Sequence, residues 1–265
     1  MRSVFSIVVA LAVLITAASD TVAEIRTKVV TYNDGDVVLE GFVAWDSELE
    51  GKKSPGILIS HQWMGLTDYE KGRCEQLAEL GYVAFALDIY GKDNRPANRG
   101  EAGKTAGGFK KNRALYRQRL NLGLAQLVAQ PGVDEKQIAA IGYCFGGTGV
   151  LELARSGAEV SGVVSFHGGL DSPSPEDGKK IQSKVLVCHG ADDPFVPVAD
   201  IDAFKKELND AKVDWQMNYY SGAVHAFTQP MAGNDNSKGA AYNAKADQRS
   251  WSAMKTFFGE IFAAQ

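Results

Sequence analysis

The sequence predicts an α/β fold: a doubly wound, mostly parallel sheet of about eight strands, with helices on both faces and an N-terminal antiparallel hairpin. Three observations predict it. Short, unbroken apolar runs recur along the chain; segments of helical periodicity separate them; and only the first pair of strand-like segments alternates as a half-exposed hairpin does.

Residues 27–32 and 37–45 alternate and carry β-branched side chains, with Asn33-Asp34-Gly35 between them as the turn. Continuous apolar runs follow at 56–60, 83–87, 138–141, 160–166 and 185–188, and a further strand is expected near 215–220. A run without alternation suits a strand covered on both faces. Helical segments fall between the runs. Residues 68–80 form one. Residues 113–129 place Tyr116, Leu120, Leu124, Leu127 and Val128 on one face and stop at Pro131-Gly132. Others start near Phe145 and cover 199–208, and a last helix carries the stripe Trp251, Met254, Phe258, Ile261 and Phe262. Residues 93–108 and 230–239 are rich in Gly and Asn, lack periodicity and read as surface loops. Two roles stand open for them: solvated loop, or border of the crevice that opens at the carboxyl ends of parallel strands. No internal repeat or interdomain linker is visible.

The chain has 265 residues, 45% hydrophobic and 23% charged, an ordinary balance for a folded globular protein. A net charge of −4 and a pI near 5.6 imply no broad basic field, so nucleic acid is not an expected partner. Met1-Arg2-Ser3, the apolar stretch 4–18 and the small residues Ala17, Ala18 and Ser19 have the layout of a secretory signal peptide. The expected organisation is a signal peptide over 1–23 and a single α/β domain over 24–265, in a periplasmic or secreted protein. The apolar stretch is shorter than the roughly 20 residues a bilayer span needs, so no stable membrane insertion is expected after cleavage. Cys74, Cys144 and Cys188 are three in number, which leaves at least one thiol unpaired within the chain. Cys74 and Cys188 read as small buried apolar residues, with a disulfide between them left open. His61, His167 and His189 end strands and are expected to serve structural hydrogen bonds. No ligand spacing for a metal is present, and no cofactor is expected.

Chemistry concentrates in Gly142-Tyr143-Cys144-Phe145-Gly146-Gly147, between a buried strand and a helix. Gly-x-nucleophile-x-Gly at such a turn is a nucleophile elbow: strand and helix close so tightly that a β-carbon at either glycine collides. The turn puts Cys144 at a helix N-terminus, where partial positive charge favours thiolate, and aims the Phe145 N–H at a developing oxyanion. The 185–188 strand leads into Asp192-Asp193-Pro194, either acid being a candidate orienting carboxylate. His225 follows the 215–220 strand. Nucleophile, acid and base stand in α/β-hydrolase order. His225 is the expected proton shuttle, and the acid its orienting partner. Trp63, Met64 and Phe145 are expected to wall the acyl pocket.

These motifs resemble the dienelactone hydrolase family of α/β-hydrolases, from about residue 37 to residue 262. The resemblance is carried by Gly-Tyr-Cys-Phe-Gly-Gly at 142–147, Asp-Pro-Phe-Val-Pro at 193–197 and His-Ala-Phe at 225–227, with support from His-Gln-Trp-Met-Gly-Leu at 61–66 and Asp-Ile-Tyr-Gly at 88–91. It implies Asp193 over Asp192 as the triad acid and the backbone N–H of Trp63 as a second oxyanion donor. The chain also departs from the family. Gln62 stands where the family has a glutamate that interacts with the cysteine. Gln229 stands where an arginine holds the substrate carboxylate, and Lys92 is expected at the position of a second such arginine. Gln62, Lys92 and Gln229 are therefore the expected substrate-pocket residues. The resulting expectation is a Cys144–His225–Asp193 hydrolase of small esters or lactones, with a small-molecule partner. The alternative is a weakly catalytic or non-catalytic binding module on the same fold, for which Gln62 and Gln229 are the motive.

Overall fold

The structure is a computed structural model describing residues 24–263; the expected signal segment lies outside the described residues. Eight strands form one sheet in the order β1-β2-β4-β3-β5-β6-β7-β8. The hairpin is β1 (Ile25–Asp34) and β2 (Val37–Asp46), antiparallel throughout, with Gly35 at φ 56° in the turn. β4 (Val83–Ala86) joins β2 antiparallel and β3 (Ser54–Ser60) parallel. β5 (Val133–Tyr143), β6 (Gly162–Phe166), β7 (Lys184–Gly190) and β8 (Trp215–Tyr220) then add in parallel.

The apolar runs lack alternation because both faces are covered. Leu58, Phe85, Ala140, Val163 and Val185 pack into one core with α3 (Arg113–Val128), α4 (Phe145–Arg155) and α5 (Val198–Asp210). Their strand neighbours Ile57, Ile59, Ala84, Ala139, Ile141 and Val164 belong to a second core under α1 (Asp68–Ala78) and α6 (Ala244–Ala263). Successive side chains of a strand point to opposite faces, so each strand contributes to both layers.

One expectation is corrected. Within 93–108, expected as loop, residues Arg99–Lys111 form the helix α2. Asn98 caps it by accepting the Glu101 N–H at 3.0 Å, and Ala102 and Ala106 are its buried residues. A short buried face is enough to hold a helix whose four glycines, at 100, 103, 107 and 108, disfavour it by propensity. The 230–239 segment holds only two short 3-10 turns.

α4 is the pivot of the fold: every one of its residues from Phe145 to Arg155 is buried. Its far end is locked by Arg155, fully buried, whose Nε and Nη2 donate to the Glu207 carboxylate at 2.8 and 2.7 Å and whose Nη1 donates to Glu152 at 3.0 Å. Its near end closes directly on the strands. A β-carbon on Gly142 would collide with the Gly146 carbonyl, and one on Gly146 would collide with the Ser60 carbonyl and lie 2.6 Å from that of His61. These contacts are with backbone and cannot relax by a rotamer change. Gly146→Ala is therefore expected to lower stability by about 3 kcal/mol in urea denaturation, with the loss of any Cys144-dependent activity in the fraction that folds.

Candidate active site

Cys144 links β5 to α4 with φ 54° and ψ −115°. For a residue with a β-carbon this backbone costs of order 1–3 kcal/mol and persists only where its surroundings over-determine it. They do so here. The Cys144 N–H is shared between the carbonyl of Phe166 at 3.0 Å and Nδ1 of His167 at 3.1 Å. The Cys144 carbonyl accepts the Gly147 N–H at 3.0 Å, starting the helix. Tyr116 stacks on the Phe145 ring, with centroids 4.6 Å apart, and donates its hydroxyl to the Phe145 carbonyl at 2.6 Å.

The sulfur faces His225. Nε2 of His225 lies 3.1 Å from Cys144 Sγ, and Nδ1 donates to Asp193 Oδ2 at 2.8 Å. Asp193 follows β7 and is buried; its other oxygen accepts the Phe195 N–H at 2.9 Å. Asp192 points elsewhere and accepts the Gly222 N–H at 3.1 Å, the role of a turn residue. The His225 backbone is clipped to the 230–239 segment: its N–H donates to the Gly239 carbonyl at 3.1 Å and its carbonyl accepts from Ala241 at 3.0 Å.

The electrostatics follow from this geometry. Burial alone raises the Cys144 thiol, but the charge and hydrogen bond of His225, with the Phe145 N–H and Lys110 adding to them, outweigh it and hold the thiol below its ordinary value. Burial alone lowers His225, but the charge of Cys144 and the Asp193 hydrogen bond raise it to about 10. His225 is thus held as imidazolium at neutral pH, and its charge biases Cys144 toward the thiolate.

The loop after β3 forms the facing wall. Its Gln62 N–H donates to the buried Glu70 Oε1 at 3.2 Å, while Oε2 of the same carboxylate accepts the Thr67 N–H at 2.9 Å and closes a capping box on α1. His61 ties this loop to the next one: its Nε2 accepts the Ile89 N–H at 3.2 Å, so its Nδ1 carries the hydrogen donated to the Gln62 carbonyl at 2.6 Å. His167 is likewise hydrogen-bonded on both ring nitrogens. The third, His189, packs edge-on against Tyr219, and its Nδ1 has no hydrogen-bond partner among the described residues. Cys74 and Cys188 are buried free thiols, so the disulfide left open in the sequence is absent.

A cavity of about 850 Å³ opens over the sulfur, within the usual range for small-molecule sites. Gln62, Trp63, Met64, Phe145, Val196 and Gln229 contribute to its wall, as do Phe195 and Met231, which are exposed at 57% and 86%. The 230–239 segment borders the cavity, and so does the 93–108 region, in the form of α2. Lys92 does not. Asp88 accepts the N–H groups of Tyr90 and Gly91 at 3.0 Å each, Gly91 turns with φ 100°, and the Lys92 N–H pairs with the Val38 carbonyl at 3.0 Å, which leaves the lysine exposed and off the cavity wall. The cations that do line the cavity are Arg99, Lys110 and Lys238, and no Asp or Glu is in that wall. Sequence reading missed Arg99 and Lys110 because it missed α2; the Asn98-x-x-Glu101 spacing was the available signal. Among the described residues no cluster of His, Cys, Asp and Glu fit for a metal ion occurs, and no helix is long and apolar enough to cross a membrane.

A mostly parallel sheet wound on both sides by helices, with Cys144, Asp193 and His225 after β5, β7 and β8, has the α/β-hydrolase fold. A profile of the dienelactone hydrolase family matches residues 39–262, and the chain belongs to that family. A solved structure designated m3DLH is 40% identical over 89% of this chain and 98% of its own, with a TM-score of 0.85. A dienelactone hydrolase-like promiscuous phosphotriesterase from metagenomic libraries is 41% identical over the same shares, with a TM-score of 0.84. A Synechocystis protein provisionally named a carboxymethylenebutenolidase is 27% identical over 89% of this chain and 97% of its own.

The charge of Cys144 is a leading cause of the raised His225 pKa. Replacing it by a hydroxyl that stays neutral removes that cause. In Cys144→Ser, imidazole NMR is expected to show His225 titrating well below its wild-type value of about 10.

Proposed function

We propose that this protein hydrolyses small esters or lactones by acyl transfer through Cys144, His225 and Asp193. The observation that carries the reading is one imidazole bridging the sulfur at 3.1 Å and the buried carboxylate at 2.8 Å. The thiolate attacks the carbonyl carbon, and negative charge moves to the carbonyl oxygen. The backbone N–H of Phe145, at the helix N-terminus, and that of Trp63 are the donors assigned to it. As the tetrahedral intermediate collapses, the imidazolium delivers its proton to the leaving alkoxide and a thioester remains. His225, now neutral, takes a proton from water, the resulting hydroxide attacks the thioester, and collapse releases the carboxylic acid and the Cys144 thiolate, which faces the imidazolium again. Asp193 holds Nδ1 protonated throughout, so Nε2 is always the nitrogen that exchanges.

The cavity wall narrows the substrate. Trp63, Met64 and Val196 offer an apolar surface, and Arg99, Lys110 and Lys238 supply positive charge, with Lys110 and Lys238 each 3.5 Å from a carboxylate outside the wall, Asp171 and Asp235. An acyl group bearing a carboxylate fits both. Lys110 and Arg99 take the part first expected of Lys92, and Gln229 is left to hydrogen-bond the Met231 N–H at 3.3 Å. A binding module has no need of a buried carboxylate aligned behind the imidazole.

The test is a panel of aryl esters, enol lactones with and without a carboxylate, and phosphotriesters, the last because of the promiscuous relative. Cys144→Ala is expected to lower kcat/KM by about 10⁴-fold or more, and Asp193→Asn by about 10⁴-fold through the wrong imidazole tautomer. Full activity in Cys144→Ala, or no Cys144-dependent turnover of any panel member, rejects the reading. The alkaline limb of kcat/KM is expected near pH 10, where His225 loses the proton it must deliver.

A further inference from the structure

The nucleophile and the base reach the site from strands that are not neighbours. Cys144 ends β5 and His225 follows β8, with β6 and β7 between them in the sheet. Strand pairing therefore does not by itself set the 3.1 Å between sulfur and imidazole. Some side chain must tie the elbow to the His225 loop.

His167 does so. It is fully buried at the end of β6, with φ 40°, and its own N–H donates to the Cys188 carbonyl on β7 at 2.9 Å. Its ring has two partners. Nδ1 lies 3.1 Å from the Cys144 nitrogen, which carries a hydrogen, so Nδ1 is the acceptor. Nε2 then carries the ring hydrogen and donates to Thr228 Oγ1 at 2.8 Å. Burial and the nearby charge of His225 hold the ring well below its ordinary pKa, in keeping with this neutral form. Thr228 lies three residues past His225 on the same loop. It is braced from behind: the Tyr69 hydroxyl is 2.8 Å from Thr228 Oγ1, Arg73 donates to that hydroxyl, and Arg73 pairs with Asp247 on α6 at 2.7 Å. The His167 ring also packs edge-on against that of His225, with centroids 5.3 Å apart.

We propose that His167 is a positioning residue: by joining the Cys144 N–H to the Thr228 hydroxyl, it sets the distance and angle between the thiolate and the His225 imidazole. The proposal rests on Cys144 and His225 being nucleophile and base. It adds a third residue, on the strand between them, that touches neither substrate nor transferred proton. It also gives the left-handed backbone of Cys144 a second acceptor beyond the Phe166 carbonyl.

The test separates hydrogen bonding from packing. His167→Phe fills the space but removes both bonds; His167→Asn leaves space but keeps an acceptor for the Cys144 N–H. Packing predicts the better enzyme in the Phe variant, and positioning predicts it in the Asn variant. The first readout is the second-order rate of iodoacetamide alkylation at pH 6, with Cys144→Ala as the blank, because the other two thiols are buried. In His167→Phe this rate and kcat are expected to fall about 100-fold with KM within about 3-fold, as for a misplacement of order 1 Å. His167→Asn is expected to recover about 10-fold of the loss. Thr228→Val, which leaves the ring in place and removes its acceptor, is expected to slow both about 10-fold, and it decides the matter if His167→Phe does not fold. Wild-type alkylation in folded Thr228→Val and His167→Asn, or a Phe variant better than the Asn variant, overturns the proposal. Alkylation needs no substrate. If no panel ester turns over, the hydrolase reading fails, while the alkylation rates still decide the role of His167.

Discussion

The close approach of β5 to α4 governs the site. Gly142 and Gly146 let two backbones meet where a single β-carbon would collide, and the chain can make that turn only by placing Cys144 in a left-handed conformation. The sulfur is thereby lifted off the sheet at a helix N-terminus. The strain is sustained because α4 is buried along its whole length and fastened at its far end by the Arg155–Glu207 pair. A buried pair of this kind adds little net stability over apolar packing, yet leaves no tolerance for losing one partner. Its consequence here is to fix the helix that follows Cys144.

Each later strand adds one part to that arrangement. His167 ends β6, Asp193 follows β7 and His225 follows β8. Their side chains converge because parallel strands present their carboxyl ends on the same side of the sheet. The electrostatic result is collective. An isolated thiolate or imidazolium at this depth is disfavoured by lost hydration, but thiolate, imidazolium and carboxylate in line stabilise one another across short gaps in a medium that screens weakly. Gln62 brings no negative charge against the sulfur, and the cations of the cavity wall, Arg99, Lys110 and Lys238, have no acid beside them in that wall, Lys110 and Lys238 pairing with Asp171 and Asp235 outside it. The imidazole partner thus biases Cys144 toward the charged form.

Much of this was legible in the sequence because it is local. Unbroken apolar runs report strands covered on both sides, and all five such strands lie close to the residues expected. The elbow glycines, the acid after one strand and the histidine after another are short motifs whose spacing encodes their backbone geometry. What was illegible depended on contacts between distant segments. The glycine-rich 99–111 stretch is a helix because tertiary packing buries Ala102 and Ala106 against intrinsic preference. Lys92 and Lys110 are alike as sequence, and only the turn held by Asp88 sends the first outward while α2 brings the second to the cavity.

The three other histidines make the same point more sharply. Each ends a strand, and nothing in its neighbours' identity distinguishes His167 from His61 or His189. By itself the sequence determined the layered sheet, the strained turn at Cys144 and the strand ends at which Cys144, Asp193 and His225 lie, since each is written in hydrophobic pattern or backbone chemistry over a few residues. Only the tertiary structure decided which lysine meets the cavity and which histidine binds the Cys144 N–H. Those outcomes depend on where strands four or five elements apart come to lie, and no local pattern carries that distance.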